Sequence, residues 1–345
     1  MNAETLEALK TFIELFSSIL AILFNSLLIY LIATKSPSKM GTYRHLMTYF
    51  CCCSIVFAVL QIAVEPMIYS RGSAFFIIMN LRTRRLPMWL AVVLLYALCA
   101  CCGVTIYGIA VHFVYRYFAL ERQGRLRYFK GAYLVLWLFL PLVGALNWAF
   151  ICNYFFSMNP SASEYLNPIT RDVFHLSIDQ VAYSAAVFWI QNTRGETEFN
   201  WKSGFGLIDL LVTMWIPFVV LIIAGAKSWT KIRGLLKQGE SQYSRNLQMQ
   251  LYKALVAQTL IPVLLIFIPF AMLFLCPLFL VDCEFLSAPI TFIYAIYPAL
   301  DPLPTLFFVD NYRNAIGKLC CKSRRVHDSG SGVEEGRDSR NSRTF

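Results

Sequence analysis

Charge is what this sequence has least of. Asp, Glu, Lys and Arg make up 14% of its 345 residues, against 58% hydrophobic residues. An ordinary water-soluble domain carries about 25% charged residues. So few ionic groups cannot cover a soluble globule of this size. A soluble cytosolic enzyme, a coiled coil and a disordered chain are therefore excluded. Catalytic patterns are missing too. The four histidines (His45, His112, His175, His327) form no metal-ligand pair at helical spacing. There is no Walker loop, no GxSxG and no HExxH. The chain reads as a non-enzyme that needs no cofactor and no metal. No Asn-x-Ser/Thr sequon occurs, so N-glycosylation is not expected. No internal repeat relates two halves, which counts against a transporter built from inverted repeats. No basic start marks a cleavable signal peptide. Acidic Glu4 and Glu7 precede the first apolar run, which reads as a retained helix.

Long apolar runs are what the sequence does have. A membrane helix needs roughly 20 mostly apolar residues to cross a core about 30 Å thick. Seven segments qualify, at about 12–33, 45–68, 88–113, 132–152, 206–226, 254–277 and 286–309. The fold class is an all-α membrane protein, a seven-transmembrane helix bundle spanning residues 12–309. Trp89, Trp148, Trp201 and Trp229 fall near span ends, where amphipathic rings belong. The short run Ala74–Met79 cannot cross and reads as part of a loop touching the interface.

The net charge of +10 would suggest nucleic acid in a soluble protein. Here the basic residues lie between apolar runs, so they report topology and the partner is the lipid bilayer. With residues 1–11 outside, the loops that fall inside hold 22 of the 30 Lys and Arg. The positive-inside rule then puts the N-terminus outside and the C-terminus in the cytoplasm. The cluster Arg71, Arg82, Arg84 and Arg85 in the first outer loop is an exception this topology does not explain. The longest outer loop, about 153–205, has an apolar middle. It is either a lid over a binding cavity or an ordered loop without ligand contact. The 11 cysteines lie mostly inside apolar runs. Cys152, Cys276 and Cys283 are near the outer face, where a disulfide with Cys283 as a member is one option and free thiols the other. Its partner stays open.

Ionisable residues inside spans are costly and mark functional sites by default. Glu14, Glu65 and Asp209 lie in the outer parts of spans one, two and five. They either meet at a cavity mouth or sit at the water interface. Asp301 lies deep in span seven, beside Pro298, Pro302 and Pro304, where lost backbone donors bend the helix. Asn25 in span one is a candidate partner. Span three ends in HFVYRY, residues 112–117, followed by a basic loop. Arg116 is either a snorkelling anchor or a switch residue. Span six carries Pro262 and Pro269 beside Phe267, Phe270 and Phe274, as a moving part would. Residues 310–321 read as an amphipathic membrane-surface helix. Its Cys320 and Cys321 are candidates for palmitoylation. Residues 322–345 are polar, Ser/Gly-rich and read as a disordered cytoplasmic tail.

Several strings then become specific. FNSLLIYLIATKSPSKMGTYRHLMTYF through spans one and two resembles nematode seven-transmembrane chemoreceptors of the Str class. So do SRGSAFF after span two, HFVYRY, and YPALDPLPTLFFVDNYR in span seven. The resemblance covers nearly the whole chain except the tail. It implies a G-protein-coupled receptor in the plasma membrane of sensory-neuron cilia, a small odorant-like ligand and a heterotrimeric G protein. Arg116 and Tyr117 then stand in the superfamily's acid-Arg-Tyr motif, with Tyr115 in place of the acid. Asp301 and Pro302 stand in its Asn-Pro kink. The tyrosine that usually follows is replaced near Leu306, and Cys51–Cys53 and Ser54 occupy the place of an acid in span two. Candidate ligand-lining residues are Leu95, Tyr96, Asp209, Phe274 and Tyr294. The alternatives are a seven-span channel or transporter and a receptor-like protein that does not signal.

Overall fold

The computed structural model describes residues 3–37, 40–121, 125–191, 196–235 and 241–318. The first two spans are α1 (Ala3–Lys35) and α2 (Tyr43–Val64). Next come β1 (Met67–Arg71), β2 (Ala74–Asn80) and the single turn α3 (Leu81–Arg84). Spans three and four are α4 (Met88–Leu120) and α5 (Ala132–Tyr154). The long loop contains α6 (Pro160–Phe174), β3 (Val181–Val187), β4 (Trp189–Gln191) and β5 (Thr197–Phe199). Span five is α7 (Trp201–Gly234). Span six is α8 (Gln242–Pro262), a π-helical turn (Val263–Phe267) and α9 (Ile268–Leu278). Span seven is α10 (Ser287–Leu300) followed by α11 (Leu303–Phe308).

Six of these helical passes are each long and apolar enough to cross a membrane. The seventh is broken at Asp301, and its two pieces together reach about 33 Å at about 1.5 Å per residue. Together they form the seven-helix bundle expected from the sequence. Residues 310–318 continue as a helix whose Tyr312 and Ala315 turn inward while Arg313 and Lys318 face out. Cys320, Cys321 and the tail lie outside the described residues.

The run Ala74–Met79 is not a loop against the interface. It is the central strand of a three-stranded antiparallel sheet ordered β1-β2-β3. The turn between β1 and β2 is the two-residue Gly72-Ser73, with Arg71 paired to Ala74. Such turns need a positive φ at the first position, and Gly72 sits at +60°. A Cβ there would also lie 2.5 Å from the Tyr165 hydroxyl, which accepts the Ser73 N–H.

Strand alternation gives the sheet two buried faces. Phe75, Ile77, Met79 and Ala182 pack against the helix bundle. Phe76, Ile78, Tyr183, Ala185 and Val187 pack under α6 with Leu166 and Ile169. Each large side chain so buried contributes about 1.5–3 kcal/mol. On the bundle side β3 presents only Ala182, Ser184 and Ala186, and these small residues leave space beneath them.

The edge strand β1 has no further strand to pair with among the described residues. Span seven supplies the partners. The N–H groups of Ile68 and Ser70 donate to the hydroxyls of Thr291 (3.2 Å) and Ser287 (3.1 Å). Alternate strand residues repeat about every 6.7 Å and helix positions i, i+4 about every 6 Å, so the two ladders match.

Ion pairs at this end account for part of the basic loop. Arg84 pairs with Glu65, and Arg71 lies 3.8 Å from Glu284, which also accepts the Tyr69 hydroxyl. Burial, then the hydrogen bond and charge of Glu284, push the Tyr69 phenol well above its ordinary range, so it stays protonated as the donor. Arg82 and Arg85 remain exposed. Cys283 bonds to Cys276, which settles the partner that the sequence left open.

Candidate functional site

Beneath the sheet lies a mostly apolar cavity of about 70 Å³. Phe75, Ile77, Ser184 and Ala186 form its roof. Cys99, Cys102, Trp148 and Cys152 wall it from α4 and α5, and Leu207, Leu210 and Met214 from α7. Phe267, Phe270 and Phe274 of span six and Tyr294 of span seven complete it. Polar groups are few, as in small-molecule sites generally. They are the Ser184 and Tyr294 hydroxyls, the indole and three thiols. The long loop therefore does fold over the bundle, since β3 is buried along its whole length.

Aromatic rings tie this roof to the broken sixth span. Phe75 lies 4.1 Å from Phe274 and 6.0 Å from Phe270, centroid to centroid. Phe156 is 5.9 Å from Phe274, and Phe270 is 5.7 Å from Tyr294. The fracture follows from the sequence. Pro262 and Pro269 each lack an N–H, and the helix between them relaxes into the π turn.

The five candidate lining residues separate. Phe274 and Tyr294 border the cavity. Leu95 is fully buried in the core between α4 and the sheet. Tyr96 packs with Cys99 and Cys152, behind the cavity wall. Asp209 lies on the α5–α7 seam, 3.5 Å from both the Asn147 amide and the Thr213 hydroxyl. The three outer acids do not converge on one mouth. Lys10 reaches Glu14 at 3.3 Å and the Glu65 carbonyl at 3.1 Å, while Asp209 has its own partners.

At the opposite end Arg116 is 2% exposed. Its Nη1 donates to Gln248 of α8 at 2.6 Å, and its guanidinium sits 4.3 Å from the Tyr43 ring centroid. Tyr43 is held in turn by His112, at 3.1 Å, and by stacking on Tyr115. Tyr115, in the place of an acid, gives Arg116 no charge partner, and a neutral amide on another span stands in. Arg116 Nε and Nη2 are buried and find no acceptor among the described residues. Tyr117 faces away, donating to Glu121 at 3.3 Å under the Lys227 ammonium. Gln250, two residues after Gln248, exchanges two hydrogen bonds with Asp310. Gln258 donates to the Asp301 carbonyl at 2.9 Å. Three glutamines thus tie α8 to span three, to span seven and to the helix that follows it.

Asn25 does reach span seven, but its amide donates to the Pro298 carbonyl at 3.4 Å and to Ser54 at 3.3 Å. Pro302 lacks the N–H that would otherwise take that carbonyl. Asp301 and Pro302 border a second cavity.

The roof residues Phe75, Ile77, Ser184 and Ala186 were not legible as site residues. Alternation in AFFIIM and VAYSAAV is a strand signal, but nothing local pairs strands about a hundred residues apart. Comparison with known proteins agrees with the architecture. Residues 10–317 match the family described as serpentine-type seven-transmembrane G-protein-coupled chemoreceptor Str. The chain is 30% identical to serpentine receptor class r-10 of Caenorhabditis elegans over 310 residues, 89% of this chain and 90% of that protein. It is 29% identical to serpentine receptor class r-10 of Caenorhabditis briggsae over 314 residues, 89% and 90% of the two chains. It is 28% identical to G-protein coupled receptor str-217 of C. elegans over 303 residues, 87% and 86%. These matches, on a bundle of seven helical passes, establish that the chain belongs to the Str family of serpentine-type G-protein-coupled chemoreceptors.

Proposed function

We propose that this receptor detects a small, mostly apolar environmental chemical in the cavity beneath the sheet and passes the signal to a heterotrimeric G protein at the Arg116 end. One observation carries this reading: the cavity's roof and the proline-broken sixth span share one aromatic cluster, Phe75 on Phe270 and Phe274. A ligand seated there touches the fixed roof and the hinged helix at once.

The sheet end faces outside in this reading. The positive-inside count supports it, and so does the Cys276–Cys283 disulfide, since such bonds persist in oxidising compartments. Affinity comes mainly from buried apolar surface, about 25 cal/mol per Å². The ligand must bind the active state better than the resting one, because equal affinity shifts nothing. Spans six and seven pivot at their prolines, and Gln248 parts from Arg116. The freed guanidinium then offers its donors to backbone carbonyls of an inserted G-protein helix. In this reading the receptor works in the ciliary membrane of sensory neurons.

Two variants test this. Arg116→Ala is expected to abolish G-protein activation with surface staining intact. Ala186→Leu, which fills the cavity from its roof, is expected to abolish the response to an activating chemical while leaving basal activity and staining unchanged. Normal coupling in the first or a normal response in the second would overturn the corresponding half.

A further inference from the structure

The larger space in the molecule is not the capped one. A cavity of about 350 Å³ lies toward the Arg116 end, between α1, α2, α4, α8 and span seven. Its inner wall carries Asn25, Ser54, Thr105, Gln258 and Asp301. Its other end is bordered by Cys52, Val56 and Leu142, which lie on the outside of the helix bundle. At mid-span that outside surface faces hydrocarbon. The cavity therefore runs from the bilayer, between α2, α4 and α5, to an acid in the bundle interior. Gly108 shapes its wall: a Cβ there would lie 2.1 Å from the Phe50 ring.

Asp301 is the unusual group. Its backbone carbonyl is taken by Gln258, yet no hydrogen bond or ion pair to its carboxylate is present among the described residues. Arg116, a buried cation of this end, donates through Nη1 to Gln248 and lies over Tyr43, and makes no ion pair with Asp301 among the described residues. A lone acid at this depth is costly, and such groups mark sites for a partner.

We infer that this cavity is a second binding site, for a small lipophilic molecule bearing one protonated amine, which enters from the bilayer and pairs with Asp301. Both ends of the cavity select for that chemistry. The opening is flanked by apolar side chains and admits what dissolves in lipid. The interior offers one negative charge with a few hydroxyls and amides, and Leu28, Met47, Phe57 and Leu255 around them. A bare cation would use the same oxygens of Asn25, Ser54 and Asp301, so the sodium chloride arm of the test separates the two occupants. A water shares about 30 Å³ of liquid, so the space suits a molecule of several heavy atoms. The occupant would touch Gln258 and Tyr297, on both sides of the seam between spans six and seven. The site is separate from the capped cavity and does not depend on the ligand proposed for it.

The test uses the full-length receptor in lipid nanodiscs with radiolabelled N,N-dimethyl-2-phenylethylamine. Saturable binding is expected, with no displacement by the neutral isostere isopentylbenzene or by sodium chloride. Asp301→Asn is expected to weaken it about 30-fold or more, the scale for losing one partner of a buried charge pair. Because that variant removes an interior group, Val56→Trp provides a second arm. It plugs the opening from the lipid side, leaves the core intact, and is expected to block binding. Ala186→Leu, in the other cavity, is expected to leave binding unchanged. Undiminished binding in Asp301→Asn or Val56→Trp would overturn the proposal. So would displacement by isopentylbenzene, displacement by sodium, or loss in Ala186→Leu.

Discussion

The side-chain amide of Gln61 on α2 donates to the backbone carbonyl of Tyr294 on α10 at 2.7 Å. The reason lies four residues on. Pro298 has no N–H, so the Tyr294 carbonyl has no helical donor. The same substitution recurs twice. Pro302 orphans the Pro298 carbonyl, which Asn25 meets, and Pro277 orphans the Leu273 carbonyl, which the Ser70 hydroxyl meets at 3.3 Å. At each of these three prolines the span is tied to a neighbouring element by the polar side chain that meets the orphaned carbonyl, as hydrocarbon requires.

Gln61→Leu is therefore expected to destabilise the receptor by about 1–3 kcal/mol, the cost of a buried carbonyl left unmet. In a Pro298→Ala background the helix regains its own donor, and the same substitution should cost much less. Thermal unfolding of the four variants in detergent measures the coupling. Equal costs in both backgrounds would show that Gln61 acts through something other than the proline gap.

The contact between Arg116 and Gln248 is expected to hold the resting state. Gln248→Leu removes a hydrogen bond to a charged group, worth about 1.5–3 kcal/mol. Basal G-protein activation should rise about tenfold or more without ligand. Unchanged basal activity in a well-expressed variant would place the latch elsewhere.

The Cys276–Cys283 disulfide reports which face is outside. On intact cells a membrane-impermeant maleimide should label these two cysteines only after an impermeant reductant has been added. Labelling that appears only after permeabilisation would put the sheet end inside and reverse the topology.

The sequence determined most of the frame. Apolar length pointed to a bundle of seven helical passes, because a helix must cross hydrocarbon with every backbone group satisfied. The prolines marked the bends in spans six and seven, since a missing N–H is a local property. Arg116 stood out in its strings as a candidate, but its contact with Gln248 did not, because a neutral glutamine carries no signal until another span places it beside a buried charge. The sheet shows the same limit. AFFIIM was too short for a span and looked like a loop, whereas its pairing with VAYSAAV and its docking on Ser287 and Thr291 depend on contacts far apart in the chain. Of the five candidate lining residues, Phe274 and Tyr294 border the capped cavity, and Leu95, Tyr96 and Asp209 pack elsewhere. Depth in a span can be read from position, but the direction a side chain faces is fixed only when the neighbouring helices close around it.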